Sequence, residues 1–182
     1  MHAVDIVILV CWLAFWIYWF AASVGVKAGQ SRGAPFVGIR VGLLIVVILL
    51  ARTRILGAHT NTDNPWLEGI GLALFFVGLG LAIWARLYLG RNWGMPMSQK
   101  DDPELVTSGP YRSIRHPIYS GILLAMVGTA IAVSVYWILA AVLFGGYFIY
   151  SAFTEERIMT GLFPDTYPEY KRSTKMLVPF IF

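Results

Sequence analysis

Residues 109–121 combine polar side chains that could bind a ligand with a hydrophobic run that could enter a membrane. Two arginines, one histidine and two tyrosines fall within this short stretch: Tyr111, Arg112, Arg115, His116 and Tyr119. Because the following run is apolar, a soluble ligand could reach the cluster from water and a hydrophobic one from the bilayer. This arrangement is typical of an enzyme that acts on an amphiphile.

The His-Pro pair inside this stretch predicts the start of a helix. Pro117 is suited to the first helical turn, where its missing N–H group costs no hydrogen bond. His116 would then be the N-cap residue, with Tyr119 three residues on and on a neighbouring face. Free N–H groups and the helix dipole at such an end favour a bound carboxylate or phosphate. The alternative is that the neighbouring arginines only anchor the helix among lipid headgroups.

Two adjacent carboxylates, Glu155 and Glu156, form a second candidate feature. Neighbouring residues on a helix point about 100° apart, so only one of the two can face a given pocket. A carboxylate at the end of a membrane helix is costly unless it is paired, which makes it a functional candidate. We assign Glu155 to a pocket and expect Glu156 to be solvated beside Arg157.

The composition excludes an ordinary soluble domain. Of the 182 residues, 58% are hydrophobic and 13% are charged, whereas a soluble domain carries about 25% charged residues. The net charge of +4 is small and its cations are scattered, which argues against nucleic acid as a partner. Cys11 is the only cysteine and the three histidines are far apart, so neither a disulfide nor a metal site is expected.

Hydrophobic runs near the 20 residues that a bilayer-spanning helix needs occur five times. They lie at 3–24, 36–50, 66–89, 118–134 and 135–153. The first run lacks a basic leader and is too long for a secretory signal, so it is interpreted as a membrane helix. The last two have almost no connector and should form a tight hairpin, with a re-entrant pair as the alternative. We therefore expect an all-α integral membrane protein with about five transmembrane helices.

The positions of the basic residues predict the orientation. With the N-terminus outside, 12 of the 14 Lys and Arg residues fall on the cytosolic side, as the positive-inside rule requires. The C-terminus is then cytosolic, and a plasma membrane of a bacterium or archaeon is the expected location. Residues 1–182 form one domain, in which 1–89 supply three helices and 90–182 the catalytic half. The loop between the third and fourth helices and the C-terminal helices should close a cytosolic pocket.

Several motifs taken together resemble the isoprenylcysteine carboxyl methyltransferase family. They are Asn92-Trp93, residues 104–112, residues 115–121, Glu155-Glu156, and Tyr167-x-x-Tyr170 with Pro179, and they match in order and spacing over about half of the chain. The Arg-His-Pro-x-Tyr motif alone also resembles phospholipid methyltransferases and sterol reductases, so the combination is what makes the resemblance specific.

The resemblance implies a membrane methyltransferase of bacterial or archaeal type that uses S-adenosylmethionine. The positions matching the family's cofactor-binding residues are Pro103, Glu104, Leu105, Val106, Tyr111, His116, Pro117, Ile118, Tyr119 and Glu155. Glu155 suits the ammonium or ribose of the cofactor, and the tyrosine faces suit its sulfonium. The acceptor would be a small lipophilic or amphiphilic molecule, and the bilayer would be the other partner.

Three positions depart from the family pattern and leave the acceptor open. Pro103 stands where a histidine is common, and Met176 where a basic residue is common. Ser151 stands where carboxyl methyltransferases carry an arginine for the substrate carboxylate, and a hydroxyl cannot replace a bidentate guanidinium. Arg86 or Arg91 could bind an acidic acceptor instead, or each could anchor at the membrane edge by snorkelling. The acceptor atom is a carboxylate oxygen or another O, S or N nucleophile.

Two other functions compete with methyl transfer. One is an NADPH-dependent membrane reductase of the sterol type, and the other is a non-catalytic membrane protein that retains the fold. Methyl transfer is favoured because Glu155 and residues 105–111 are both in register with the motif. A carboxylate acceptor would need no general base, whereas a thiol, phenol or amine would, and His116 is the candidate only if the cofactor does not occupy it.

Overall fold

Helices dominate the computed structural model, which describes residues 3–22, 29–31, 64–94, 98–100 and 104–182 together with positions 42 and 45. In these segments the α-helices are α1 (Ala3–Ala21), α2 (Pro65–Leu89), α3 (Pro117–Ala132), α4 (Trp137–Leu162) and α5 (Tyr167–Ser173). Short 3₁₀-helices span Gly90–Asn92 and Gly109–Arg112. A small antiparallel pair joins β1 (Gly29–Ser31) to β2 (Ser98–Lys100), with Gln30 opposite Gln99.

Three helices, α1, α2 and α4, are long and apolar enough to cross a membrane, and α3 is a shorter apolar helix. They correspond to the first, third, fifth and fourth predicted runs. The predicted second run, 36–50, lies outside the described residues apart from positions 42 and 45. Four residues separate α3 from α4, as expected of a tight hairpin. The fold is thus the predicted helical integral membrane fold.

The ends of α2 follow from local chemistry. The Asn64 side chain accepts a 3.0 Å hydrogen bond from the Trp66 N–H, and Pro65 occupies the first turn. Gly90, with a φ of 50°, takes the backbone conformation that ends the helix. At 1.5 Å per residue the 25 residues of α2 extend about 37 Å. That length exceeds the roughly 30 Å hydrocarbon core of a bilayer.

Glycines bring α2 and α3 into backbone contact. A methyl group added to Gly78 would lie 2.4 Å from the backbone nitrogen of Ala125, and one added to Gly128 would lie 2.5 Å from that of Phe75. Gly71 and Gly121 are equally enclosed by the opposite helix. Small residues allow this approach, which is a usual way for membrane helices to associate.

The C-terminal tail, which we define as residues 163–182 and which includes α5, pairs with the segment that leads into α3. The Arg115 N–H donates to the Lys175 carbonyl (2.8 Å), and the His116 N–H donates to the Met176 carbonyl (3.0 Å). In return the Lys175 N–H donates to the carbonyl of Ser113 at 3.1 Å. The tail therefore fixes the backbone on which the polar cluster sits, and it uses N–H groups just before the helix start.

Candidate functional site

A cavity of about 420 Å³ opens where α3 begins and where α1, α2 and α4 approach their ends. Its polar lining residues include Asn92, Glu104, Tyr111, Arg115, His116, Tyr119, Glu155, Tyr167 and Tyr170. Its apolar lining includes Trp16, Trp19 and Phe20 of α1 and Phe144 and Phe148 of α4. Phe144 precedes Glu155 by eleven residues on one helix, which is about 16 Å along the axis. The cavity thus extends from a polar end into the membrane-spanning part.

Three side chains meet at the polar end. The Tyr119 hydroxyl donates to Oε1 of Glu155 at 2.5 Å, and Nδ1 of His116 lies 3.5 Å from Oε2 of the same carboxylate. The rings of His116 and Tyr119 stack with centroids 5.4 Å apart, and Tyr119 stacks on Phe148 at 4.5 Å. The first turn of α3 therefore orients the carboxylate that α4 presents to the cavity.

The charge state of His116 is set by its surroundings. Burial alone lowers the pKa of His116, but the carboxylates of Glu155 and Glu156 outweigh it and raise that pKa above its usual value. Nε2 of His116 lies 3.6 Å from Oε1 of Glu156. The imidazole thus holds its proton more tightly in the folded protein than in the unfolded chain.

Glu156 is buried, so the expectation that it is solvated beside Arg157 was wrong. Its side chain is only 2% exposed, and it pairs with Nε of Arg115 at 2.7 Å and Nζ of Lys171 at 2.6 Å. Arg115 also donates to the carbonyls of Lys171 and Thr174. A buried carboxylate is tolerated because it is paired. Glu156 therefore links α4 to the tail, while Glu155 faces the cavity.

The loop before the second 3₁₀-helix forms another side of the cavity. Glu104, Leu105 and Val106 line it, and Glu104 accepts a 2.8 Å hydrogen bond from the Asn92 side chain through Oε2. Pro103, predicted beside them, lies outside the described residues. Asn92 belongs to a motif noted in the sequence but was not predicted to line the site.

Tyrosines from the second 3₁₀-helix and from α5 close the polar end. The Tyr170 hydroxyl donates to the Tyr111 carbonyl at 2.6 Å, and both rings line the cavity with Tyr167. Burial raises the pKa of Tyr170 to about 12, with Arg115 lowering it and Glu156 raising it. Burial likewise raises the pKa of Tyr111, so these phenols stay neutral near pH 7. The spaced tyrosines were visible in the sequence as part of the motif, yet not as site residues.

The remaining predicted cofactor positions lie at the start of α3. Ile118 lines the cavity, and Pro117 is buried beside it at the first helical position. Ile118 belongs to one continuous lining with the other predicted positions that are described: Glu104–Val106, Tyr111, His116, Tyr119 and Glu155. Residues separated by about 50 positions are thus brought together by the fold.

The two candidates for acceptor binding, Arg86 and Arg91, lie elsewhere, as does Ser151 at the position of the family's substrate arginine. Arg86 is 4% exposed and donates to the carbonyls of Gly90 and Ala22, with its guanidinium 4.3 Å above the Trp93 ring. It therefore joins the ends of α1 and α2. Arg91 is exposed. Ser151 is buried and donates to the Tyr147 carbonyl at 2.9 Å. In the part of the chain that is described, the cavity wall contains none of these three.

Comparison with known proteins bears on the chemistry. A family model described as phospholipid methyltransferase matches residues 67–166, which is more than half of the chain. The cobalt-zinc-cadmium resistance protein CzcN of Cupriavidus metallidurans is 31% identical over 77% of this chain and 63% of its own length. A methanethiol S-methyltransferase of a Pseudomonas species is 27% identical over 65% of this chain and 49% of its own length.

A third relative agrees with the motif resemblance. Protein-S-isoprenylcysteine O-methyltransferase B of Arabidopsis thaliana is 30% identical over 64% of this chain and 61% of its own length. The chain spans about half to two thirds of the length of these relatives. Because the family model matches more than half of the chain, and the matched residues lie on the membrane helices, the chain belongs to the phospholipid methyltransferase family. This family includes the isoprenylcysteine-type enzymes that the motifs of the chain resemble.

Proposed function

We propose that this protein transfers a methyl group from S-adenosylmethionine to a small lipophilic acceptor at the membrane boundary. The observation that carries the proposal is the cavity itself, which joins a polar end at Glu155 to an aromatic wall at Phe144. A soluble donor can enter at the first and a hydrophobic acceptor at the second. Its volume of about 420 Å³ falls in the usual range for ligand sites.

The residues present fit the cofactor. Glu155 offers a carboxylate to the ammonium or ribose hydroxyls, while Tyr111 offers an aromatic face that attracts a cation. Tyr119 is stacked on His116 and on Phe148, so its part is to orient Glu155. His116 and the loop 104–106 would complete the contacts, with Pro103 as a further candidate. The bound sulfonium supplies an already activated methyl group. The protein's main contribution is then alignment, which can be worth about 7–11 kcal/mol.

The lining favours a neutral acceptor over a carboxylate. Arg115 and protonated His116 are the cations of the described lining, and both already face carboxylates, Arg115 that of Glu156 and His116 those of Glu155 and Glu156. Ser151 donates back to its own helix and cannot hold a substrate carboxylate from a buried position. A thiol is one neutral acceptor of suitable size, and the relative named methanethiol S-methyltransferase supports that choice. Such an acceptor must lose its proton, and because the pKa of His116 is raised, only the neutral fraction of this imidazole, where the cofactor leaves it free, can accept that proton.

Calorimetric binding of S-adenosylhomocysteine in detergent tests the cofactor assignment. We expect micromolar binding by the parent and none by Glu155→Gln. Glu169→Gln, which removes an exposed carboxylate from α5, is the matched control and should bind as the parent does. A folded parent that binds NADPH and ignores S-adenosylhomocysteine would replace the proposal with the reductase.

The acceptor is tested by a separate methylation assay. Parent protein, supplied with labelled cofactor, is offered a short alkyl thiol and a prenylated cysteine carboxylate in parallel. We expect label on the thiol and little on the carboxylate. The reverse preference would refute the neutral acceptor without touching the cofactor assignment.

The same proposal places the polar end of the cavity in the cytosol of a bacterial or archaeal cell. The basic residues of the tail and of residues 86–115 support this orientation through the positive-inside rule. Labelling of Ser173→Cys in a Cys11→Ser background tests it in intact cells. A membrane-impermeant maleimide should fail to label the new thiol until the cells are opened; labelling in intact cells would invert the orientation.

A further inference from the structure

A second, shallower cavity of about 350 Å³ lies between the last turns of α4 and the tail. Its lining combines the cations Lys171, Arg172 and Lys175 with the apolar side chains Phe153, Ile181 and Phe182. We call it the tail groove. It shares Arg115 with the wall of the main cavity, but Glu155, His116 and Tyr119 are not among its lining residues.

The tail groove sits at the level where α4 leaves the bilayer. The 26 residues of α4 extend about 39 Å, which is longer than the roughly 30 Å hydrocarbon core. Charged residues begin at Glu155, so Phe153 marks the boundary between apolar and polar parts of the helix. Phe153 is 46% exposed and therefore faces lipid at that boundary.

The charges of the tail groove are unbalanced. Arg115 and Lys171 share the carboxylate of Glu156. Among the described residues that line the groove, Glu156 is the one acidic side chain. Arg172 and Lys175 are exposed and add two positive charges to the same rim. The surface thus offers excess positive charge directly beside lipid-facing apolar side chains.

We propose that the tail groove binds an anionic phospholipid of the surrounding leaflet, with its phosphate on Arg172 and Lys175 and an acyl chain along Phe153. Charge complementarity selects the headgroup, and each basic residue near a membrane surface strengthens such binding. The exposed Ile181 and Phe182 lie on the tail beside the acyl chain. A free phosphate would use the cations but would gain nothing from this apolar wall.

Lipid binding to the intact, delipidated protein in an uncharged detergent tests the proposal. Phosphatidylglycerol is titrated by native mass spectrometry, beside phosphatidylcholine with the same acyl chains and beside glycerol phosphate without any. We expect one phosphatidylglycerol to be retained, with weak retention of the other two. Equal retention of phosphatidylcholine would overturn the charge argument, and tight binding of glycerol phosphate would overturn the lipid assignment.

The variant Arg172→Gln/Lys175→Gln should bind phosphatidylglycerol roughly thirtyfold more weakly, as expected for the loss of two surface cations. Arg112→Gln/Arg157→Gln removes the same charge from exposed positions outside the groove lining. It is the matched control and should bind as the parent does. Equal weakening by both double variants would show a general charge effect and refute the site, whatever ligand the main cavity takes.

Discussion

Tyr119 donates a 2.5 Å hydrogen bond to Oε1 of Glu155, across the gap between the first turn of α3 and the last third of α4. The stacked ring of His116 lies against the second oxygen of the same carboxylate. Glu155 is therefore oriented before any ligand binds. A carboxylate held in this way loses little freedom when a ligand arrives, which strengthens binding.

The variant Tyr119→Phe removes this orienting hydrogen bond and keeps the ring stack. We expect affinity for S-adenosylhomocysteine to fall roughly tenfold, the size expected for a hydrogen bond to a charged group. Calorimetry measures the change. Tyr136→Phe, at the far hairpin, is the control and should bind normally; a Tyr119→Phe variant that does the same would show that the hydrogen bond is not needed.

The two neighbouring glutamates should separate binding from stability. Glu156→Gln leaves the buried Arg115 without its carboxylate, and breaking a buried ion pair of this kind costs about 3 kcal/mol. We expect a lowered Tm in thermal unfolding followed by tryptophan fluorescence. Glu155→Gln should lower the Tm by less, because Glu155 is the more exposed of the two and is not held by Arg115 and Lys171, yet it should abolish cofactor binding. If Glu156→Gln melts with the parent, its ion pairs do not support the fold.

The contact between α2 and α3 predicts that the stability lost on replacing a glycine of α2 by alanine depends strongly on the position of that glycine. Gly78→Ala would force backbone atoms of α3 to move, and overpacking of this kind typically costs about 1–3 kcal/mol. Gly80→Ala is the control, because a methyl group there meets nothing within 4 Å. Unfolding in a denaturing detergent should distinguish the two variants. Equal stability would mean that the helices separate easily.

The raised pKa of His116 predicts a stability that depends on pH. Protonated His116 interacts with Glu155 and Glu156, and the second of these carboxylates also pairs with Arg115 and Lys171. The stabilising contribution is complete below the unfolded pKa of about 6.5 and is lost as the pH rises through the higher folded pKa. The Tm difference between the parent and His116→Gln should therefore shrink as the pH is raised from about 6 to about 9. A difference that grows with pH would contradict this account.

The sequence predicted those features that depend on local chemistry. The lengths of the apolar runs gave the described membrane helices, and Pro117 marked the start of α3. The spacing of His116 and Tyr119 placed both at that helix end. Their meeting with Glu155 was inferred from the family resemblance, because no local pattern connects residues nearly 40 positions apart.

Features that depend on tertiary contact were missed. Glu156 was expected to be solvated, since its nearest cation in sequence is Arg157, whereas its partners are Arg115 and Lys171. Trp19, near the end of α1, lies buried at the cavity wall, although an aromatic residue in such a position is equally typical of a membrane-interface belt. Burial of this kind depends on which helices become neighbours, and amino-acid composition alone does not determine that.

The glycine contact between α2 and α3 also limits how a bulky molecule can enter. No layer of side chains separates the two backbones where these glycines meet, so nothing there can rotate aside to form an entrance. The contacts of α1 and α4 with this pair run through aromatic rings, Trp12 against Phe75 and Phe148 against Tyr119. An aromatic side chain can change its rotamer and so open a gap, whereas two backbones in contact cannot. Under the proposed function, an acceptor arriving from the bilayer should therefore enter between α1 and α4, which both line the cavity, and leave the glycine pair closed.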